Sequence, residues 1–221
     1  FDFANAGLSG LTLSSGSLNP PFSPNTLNYT VTVPNATNSL TTSLTKSDPN
    51  ANATVNGGSP SSPVTLNVGA NTISINVISQ DGTTSKTYVF TATRLTAADS
   101  WRQQQFGTAS NTGNAADTSD PNGNGISNLM EYALNGDPSG NTVGISILPA
   151  ASANGANHLQ MAFTRYLDRN DITLTVQGSD TLGGTWTDLA QSVNGASFAV
   201  LASGATVSET GTGNTRAVSV G

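Results

Sequence analysis

Near the middle of the chain, oxygen-bearing residues recur at a fixed spacing. Residues 120 to 131 read Asp-Pro-Asn-Gly-Asn-Gly-Ile-Ser-Asn-Leu-Met-Glu. Counted from Asp120, side-chain oxygens stand at positions one, three, five, nine and twelve, from Asp120, Asn122, Asn124, Asn128 and Glu131. A hard divalent cation such as Ca2+ takes about six to eight oxygens, and a twelve-residue loop with this spacing wraps them around one point. Ile126, at position seven, is expected to contribute its backbone carbonyl while its side chain anchors the loop in apolar contacts. Gly125, at position six, allows the sharp turn. Asn128 is expected to reach the ion directly or through water, and Glu131 to close the site with two oxygens. Asp117 stands just outside the loop as a further carboxylate. Formal charge within the loop comes only from Asp120 and Glu131. The expected affinity is therefore that of extracellular modules, a Kd on the order of 10⁻⁴ to 10⁻³ M.

Other chemistry is poorly supplied. The chain has no cysteine and one histidine, His158, and its two glutamates are Glu131 and Glu209. Proton-transfer catalysis needs a set of titratable groups held together, and no nucleophile elbow, phosphate loop or zinc helix is present. His158 opens a strand and is expected on its polar face. Asp168 and Asp171, in Leu-Asp-Arg-Asn-Asp, could be imagined as a carboxylate pair for glycoside hydrolysis, but a charged hairpin turn between Arg165 and Ile172 is the expected use. Trp186, in Gly-Gly-Thr-Trp-Thr-Asp, is the candidate for stacking on a sugar ring, against the plainer expectation of a core tryptophan. No enzymatic activity is expected.

These residues must be held by a scaffold, and bulk composition narrows its type. In 221 residues only 9% are charged, 23 are Gly, and the net charge is -6. With Ser, Thr and Asn making up more than a third of the chain, this is the turn-rich, β-branched composition of extracellular sandwiches. The seven basic residues are scattered, so no stripe for nucleic-acid phosphates can form. No apolar run approaches the roughly 20 residues of a membrane-spanning helix. Phe1 is expected to begin a processed or excised chain.

Apolar residues alternate from Leu11 to Arg94: Tyr29, Val31 and Val33; Val64, Leu66 and Val68; Ile73, Ile75 and Val77; Tyr88, Phe90 and Ala92. Period two means strands with one buried face. Asp81-Gly82 suits a tight hairpin turn between the last two runs. Residues 97 to 106 read as a helix ended by Gly107, with Trp101 expected as a plug at the domain junction, and Leu129 to Leu134 as one or two helical turns. Period two returns with Val143, Ile145 and Ile147; Leu159, Met161 and Phe163; Ile172, Leu174 and Val176; Val218 and Val220. The expected fold is all-β: two antiparallel β-sandwich domains, 1–95 and 142–221, joined by a helical segment, 96–141, that carries the calcium loop.

The run Leu11-Thr12-Leu13-Ser14-Ser15-Gly16-Ser17-Leu18, then Pro21-Phe22-Ser23-Pro24, Tyr29-Thr30-Val31-Thr32-Val33-Pro34, Asp81-Gly82-Thr83-Thr84 and Tyr88 resembles the bacterial cadherin-like β-sandwich domain over about residues 5–94. The resemblance implies a repeated spacer or adhesive module of large secreted proteins, without catalysis. Residues 120–131 match the EF-hand loop, but the preceding helical pattern stops well before Asp120, so the arrangement is similar to the single loops of dockerin-like and thrombospondin-type repeats. The order Phe163-Thr164-Arg165, Leu174-Thr175-Val176-Gln177 and Trp186-Thr187 resembles the C-terminal sandwich that follows such loops in bacterial secreted proteins.

The expectation is a secreted or cell-surface structural or adhesive protein, a matrix component or filament subunit, rigidified by Ca2+, with the metal setting the angle between the sandwiches. The alternative is a carbohydrate-binding accessory module of a secreted polysaccharide-degrading enzyme. Expected partners are copies of the chain itself or a surface polysaccharide, with no nucleic acid. For self-assembly the candidates are Phe1 and Phe3, which share a face in an alternating segment that could add as a strand to a neighbour's open sheet edge.

Overall fold

The computed structural model describes residues 3–140, 148–154, 158–181 and 183–221. The chain divides into two compact units, Phe1–Thr96 and Ala97–Gly221. Among the described residues no helix is long and apolar enough to cross a membrane.

In the first unit the strands are β1 (Leu8–Leu13), β2 (Asn28–Val33), β3 (Ser39–Leu40), β4 (Thr42–Lys46), β5 (Asn52–Val55), β6 (Val64–Thr65), β7 (Gly69–Ile78) and β8 (Ser85–Arg94). A four-stranded sheet runs in the order β2-β8-β7-β5, and the smaller pairs β1-β4 and β3-β6 supply the facing layer. The alternating residues meet between them: Val31, Val33, Ile73, Ile75, Val77, Tyr88, Phe90 and Ala92 are buried together with Leu8, Leu11 and Leu40. Burying such side chains, at roughly 1.5–3 kcal/mol each, is what holds the unit without disulfides. Tyr88 is fully buried and its hydroxyl is not left dry: it accepts from the Leu8 N–H at 2.9 Å and donates to the Pro24 carbonyl at 3.1 Å.

Three sequence expectations need correction here. Pairing is not wholly antiparallel, because β2 runs parallel to β8, with Tyr29 opposite Phe90 and Val31 opposite Ala92. The long excursion from β3 to β7 gives the chain the length that a parallel connection requires. Val68 does not continue the buried row and stands 51% exposed. The chain turns away after Leu66, clamped by Asn71, which accepts from the Asn67 N–H and donates to its carbonyl, and Gly69 adopts φ +92°. The β7–β8 connection spans Ser79 to Thr84, so it is longer than a two-residue turn. Gly82 takes the positive φ of +72° there. Asp81 organises the loop by accepting from the Thr83 N–H and the Ser79 and Thr83 hydroxyls, and these bonds, the Thr83 N–H foremost, hold its carboxyl below its ordinary pKa.

Among the described residues, the second unit carries α1 (Ala97–Phe106), a short 3-10 turn (Gly113–Ala115) and α2 (Asn128–Leu134). Its strands are β9 (Ala150–Asn154), β10 (His158–Tyr166), β11 (Thr173–Gly178), β12 (Thr187–Val193), β13 (Ala199–Val200), β14 (Val207–Thr210) and β15 (Thr215–Val220). Two sheets, β14-β15-β10-β9 and β11-β12-β13, share a core of Val176, Ala190, Phe198, Val218 and Val220, with Met161, Phe163, Leu174 and Leu189 against it. The run Val143, Ile145 and Ile147 lies outside the described residues. Leu159 is 76% exposed and its partner Ala153 is exposed as well, so the alternation reaches the core only from Met161 onward.

The loop holding Asp168 and Asp171 is not a hairpin turn, because β10 and β11 belong to different sheets. Its residues dock the helices instead. The Asp171 carboxylate accepts from the Ala98 N–H at the start of α1 at 2.7 Å and from the Tyr132 hydroxyl at 2.6 Å, while Arg169 lies over the Tyr132 ring and donates to the Tyr132 carbonyl. Trp101 packs against Phe106 and Tyr132, with Ile172 beside them. Burial and the Asp171 bond push the Tyr132 phenol above its ordinary pKa. Asp171→Ala removes a helix cap and the partner of a buried hydroxyl together, and about 2 kcal/mol of stability should be lost in a urea melt followed by tryptophan emission.

Candidate metal centre

α1 ends at Gly107, whose N–H reaches the Gln103 carbonyl and whose φ is +72°. The chain then passes through the 3-10 turn and enters the loop. Gly123 and Gly125 take φ of +69° and +84°, values a side chain would resist. Within the loop the oxygens are oriented by backbone amides. Asp120 accepts from the Asn124 N–H at 3.1 Å and from the Gly125 N–H at 2.8 Å, and Asn124 Oδ1 accepts from the Ile126 N–H at 2.8 Å. Asn122 donates through Nδ2 to the carbonyls of Asp137 and Gly140, so its Oδ1 is the atom turned to the loop, where it accepts from the Asn124 N–H. The Ile126 side chain is buried.

Glu131 arrives from α2. Its side chain is almost fully buried, at 2% exposure, and accepts from Asn124 Nδ2 at 2.9 Å. Asp120, Asn122, Asn124 and Glu131 are thus joined by hydrogen bonds around one loop. Among the described residues Glu131 has no Lys, Arg or His within ion-pair distance. Asn128 is fully buried: its Nδ2 donates to the carbonyls of Asn114 and Ala116, and its Oδ1 has no hydrogen-bond donor.

Asp117 faces elsewhere. Its carboxylate takes the Arg102 guanidinium at 2.5 Å and the Asn111 amide at 2.8 Å. Arg102 also pairs with Asp99 at 2.7 Å and is itself buried, so opposite charge ties Asp117 to α1. This brace was not foreseen from the sequence. The i,i+3 spacing of Asp99 and Arg102 on a helix was the available signal.

The donor set suits a hard cation. No group of three or more His, Cys, Asp or Glu side chains that could hold a metal forms among the described residues; the loop 120–131 offers two carboxylates and several amide or carbonyl oxygens. That set fits calcium better than zinc or copper, which favour nitrogen and sulfur. A desolvated carboxylate without a cation and a buried amide oxygen without a donor are both costly, the second by about 1–3 kcal/mol. A bound divalent ion would relieve the first and, directly or through a bound water, the second.

The remaining candidates scatter. Phe3 is 54% exposed and lies in a turn, not a strand, its carbonyl accepting from the Asp81 N–H, while Phe1 lies outside the described residues. His158 begins β10. Trp186, expected in the core, is 50% exposed and lies just ahead of β12.

Sequence reasoning also missed the largest buried charge. Arg165 continues the inward row of Met161 and Phe163 on β10, and Glu209 faces it from β14. They form an ion pair, Arg165 also donating to Ser192 Oγ and the Gly195 carbonyl, and Glu209 accepting from the Phe198 N–H. The signal was present, since period two places Arg165 on the core face.

No curated protein matches the chain. Residues 8–95, the span from β1 to β8, match the family model of the cadherin-like beta sandwich domain.

Proposed function

We propose that this chain is a non-catalytic structural or adhesive segment of a secreted or cell-surface protein, in which calcium held by the loop 120–131 rigidifies the second unit. The ligands are Asp120, Asn122, Asn124, the Ile126 carbonyl and Glu131, with Asn128 reaching the ion directly or through water. The observation that carries the reading is the buried Glu131 carboxylate, which lacks a cationic side chain among the described residues while sitting among oriented loop oxygens. The cadherin-like match over residues 8–95 supports the extracellular setting and the absence of catalysis. Isothermal titration should give one site per chain with a Kd on the order of 10⁻⁴ to 10⁻³ M. No heat of binding up to several times the upper end of that range would overturn the reading.

The partner proposed for adhesion is a second copy of the chain, engaged through Phe3. An aromatic ring half in water has roughly 1.5–3 kcal/mol to gain from complete burial. Phe3→Ser should therefore lower the mass-average size measured by light scattering at high protein concentration. Equal sizes for variant and parent would remove Phe3 from the interface.

A further inference from the structure

We infer that the outward face of β11 and β12 is a binding surface for neutral polysaccharide, with Trp186 as its stacking platform. This surface is independent of the calcium loop. The first support is Trp186 itself. Half of this large amphipathic ring is exposed, where a solvent-facing tryptophan offers a flat apolar face and an N–H donor at one edge. The axial C–H faces of a pyranose ring pack on such a surface, and its equatorial hydroxyls project sideways from it.

The second support is what lies beside the indole. Trp186 stands immediately before β12 and two residues before Asp188, and both side chains are exposed. Opposite Asp188 is Gln177, which donates from Nε2 to Asp188 Oδ1 at 2.7 Å. Two registers further along, Gln191 donates to Thr175 Oγ1 at 3.0 Å. These cross-strand pairs form a polar ladder of amide, carboxylate and hydroxyl groups, pre-oriented by their own hydrogen bonds. Among the described residues Asp188 Oδ2 and Gln177 Oε1 receive no hydrogen bond, which leaves acceptors for sugar hydroxyls at the tryptophan end of the ladder.

The third support selects the class of occupant. Between Arg169 and Arg216 the sequence contains neither Lys nor Arg, while Asp180 and Asp188 lie within that stretch. This stretch offers phosphate, sulfate or uronate groups no cationic side chain and meets an anionic polymer with negative charge. An uncharged glycan needs what the face supplies, namely one aromatic plane and a row of neutral or acceptor groups.

Affinity gel electrophoresis of the intact chain, at one fixed calcium concentration throughout, tests the proposal. The gels would contain hydroxyethylcellulose, a galactomannan or a soluble α-glucan, with polygalacturonate as the anionic comparison. At least one neutral polymer should retard the chain and polygalacturonate should not. Trp186→Ala should weaken that retardation at least about tenfold in apparent Kd, with Gln177→Ala and Asp188→Asn causing smaller losses. Because Trp186 is exposed, its removal should leave the urea midpoint unchanged. In the parent chain the active polymer should shield one tryptophan from acrylamide quenching, the buried Trp101 serving as the internal reference. Failure of every neutral polymer to retard the chain, unchanged binding by Trp186→Ala, or equal binding of polygalacturonate would each overturn the assignment.

Discussion

Arg165→Ala should destabilise the second unit by about 3–5 kcal/mol, the usual cost of leaving one member of a buried ion pair behind. Arg165 is 2% exposed and sits among the largest fully buried side chains of the protein. Its guanidinium is bonded on every side, to Glu209, to Ser192 Oγ at 3.2 Å and to the Gly195 carbonyl at 3.0 Å, with the Phe198 ring 5.8 Å away. Truncation strands the Glu209 carboxylate in a core otherwise made of Val176, Ala190, Phe198, Val218 and Val220. The double variant Arg165→Met with Glu209→Leu removes both charges, so it should recover part of the loss. Recovery will be incomplete, because Glu209 Oε2 also accepts from the Phe198 N–H and Arg165 satisfies the Gly195 carbonyl. Both tryptophans of the chain, Trp101 and Trp186, belong to the second unit, so tryptophan emission during a urea melt reports that unit alone. A change below about 1 kcal/mol for Arg165→Ala would place the pair in the class of solvated surface bridges.

Calcium and Glu131→Gln should act with opposite signs on that same melt. At free calcium about a hundredfold above Kd, binding to the folded state alone adds about 2.7 kcal/mol. That gain should vanish in Glu131→Gln, which supplies one neutral oxygen in place of a charged pair. In chelator the order should invert. The parent then carries a buried carboxylate whose hydrogen bond is the Asn124 amide at 2.9 Å, and neutralising it relieves a desolvation cost. The glutamine carbonyl can still accept from Asn124 Nδ2. Glu131→Gln should therefore equal or exceed the parent in stability without calcium and fall below it with calcium. A parent melt indifferent to calcium, or a variant destabilised equally in both conditions, would separate Glu131 from any ion.

How much was visible in advance differs by element. Strands β2, β7 and β8 were legible because their sequences obey one periodicity: Tyr29 to Val33, Ile73 to Val77 and Tyr88 to Ala92 are buried at every second position. Alternation with β-branched and aromatic residues has few solutions other than a half-buried strand. The helix 97–106 and its Gly107 stop were readable for a similar reason, since helix formers and a positive-φ glycine are local signals. The candidate loop was legible too: its oxygens are spaced by covalent geometry, and the turn at Gly125 needs no distant residue.

What escaped the sequence depended on partners distant along the chain. Periodicity assigns a face but not a neighbour, so the parallel pairing of β2 with β8 could not be read from either strand. Asp117 was one carboxylate among several beside the loop until folding brought Arg102 to it, fifteen residues away. Asp171 read as a turn residue, yet its carboxylate serves the Ala98 N–H and the Tyr132 hydroxyl, seventy-three and thirty-nine residues distant. Trp186 read as core because large aromatics usually fill sandwiches, yet the folded chain leaves it half in water. The sequence by itself determined the inward faces of β2, β7 and β8, the helix ends and the order of the loop oxygens, because each follows from the torsions and spacing of a few consecutive residues. Tertiary structure decided which charges are paired, which aromatics are dry and which carboxylate lacks a cationic side chain, since desolvation and Coulomb energies belong to groups brought together only when the chain has folded.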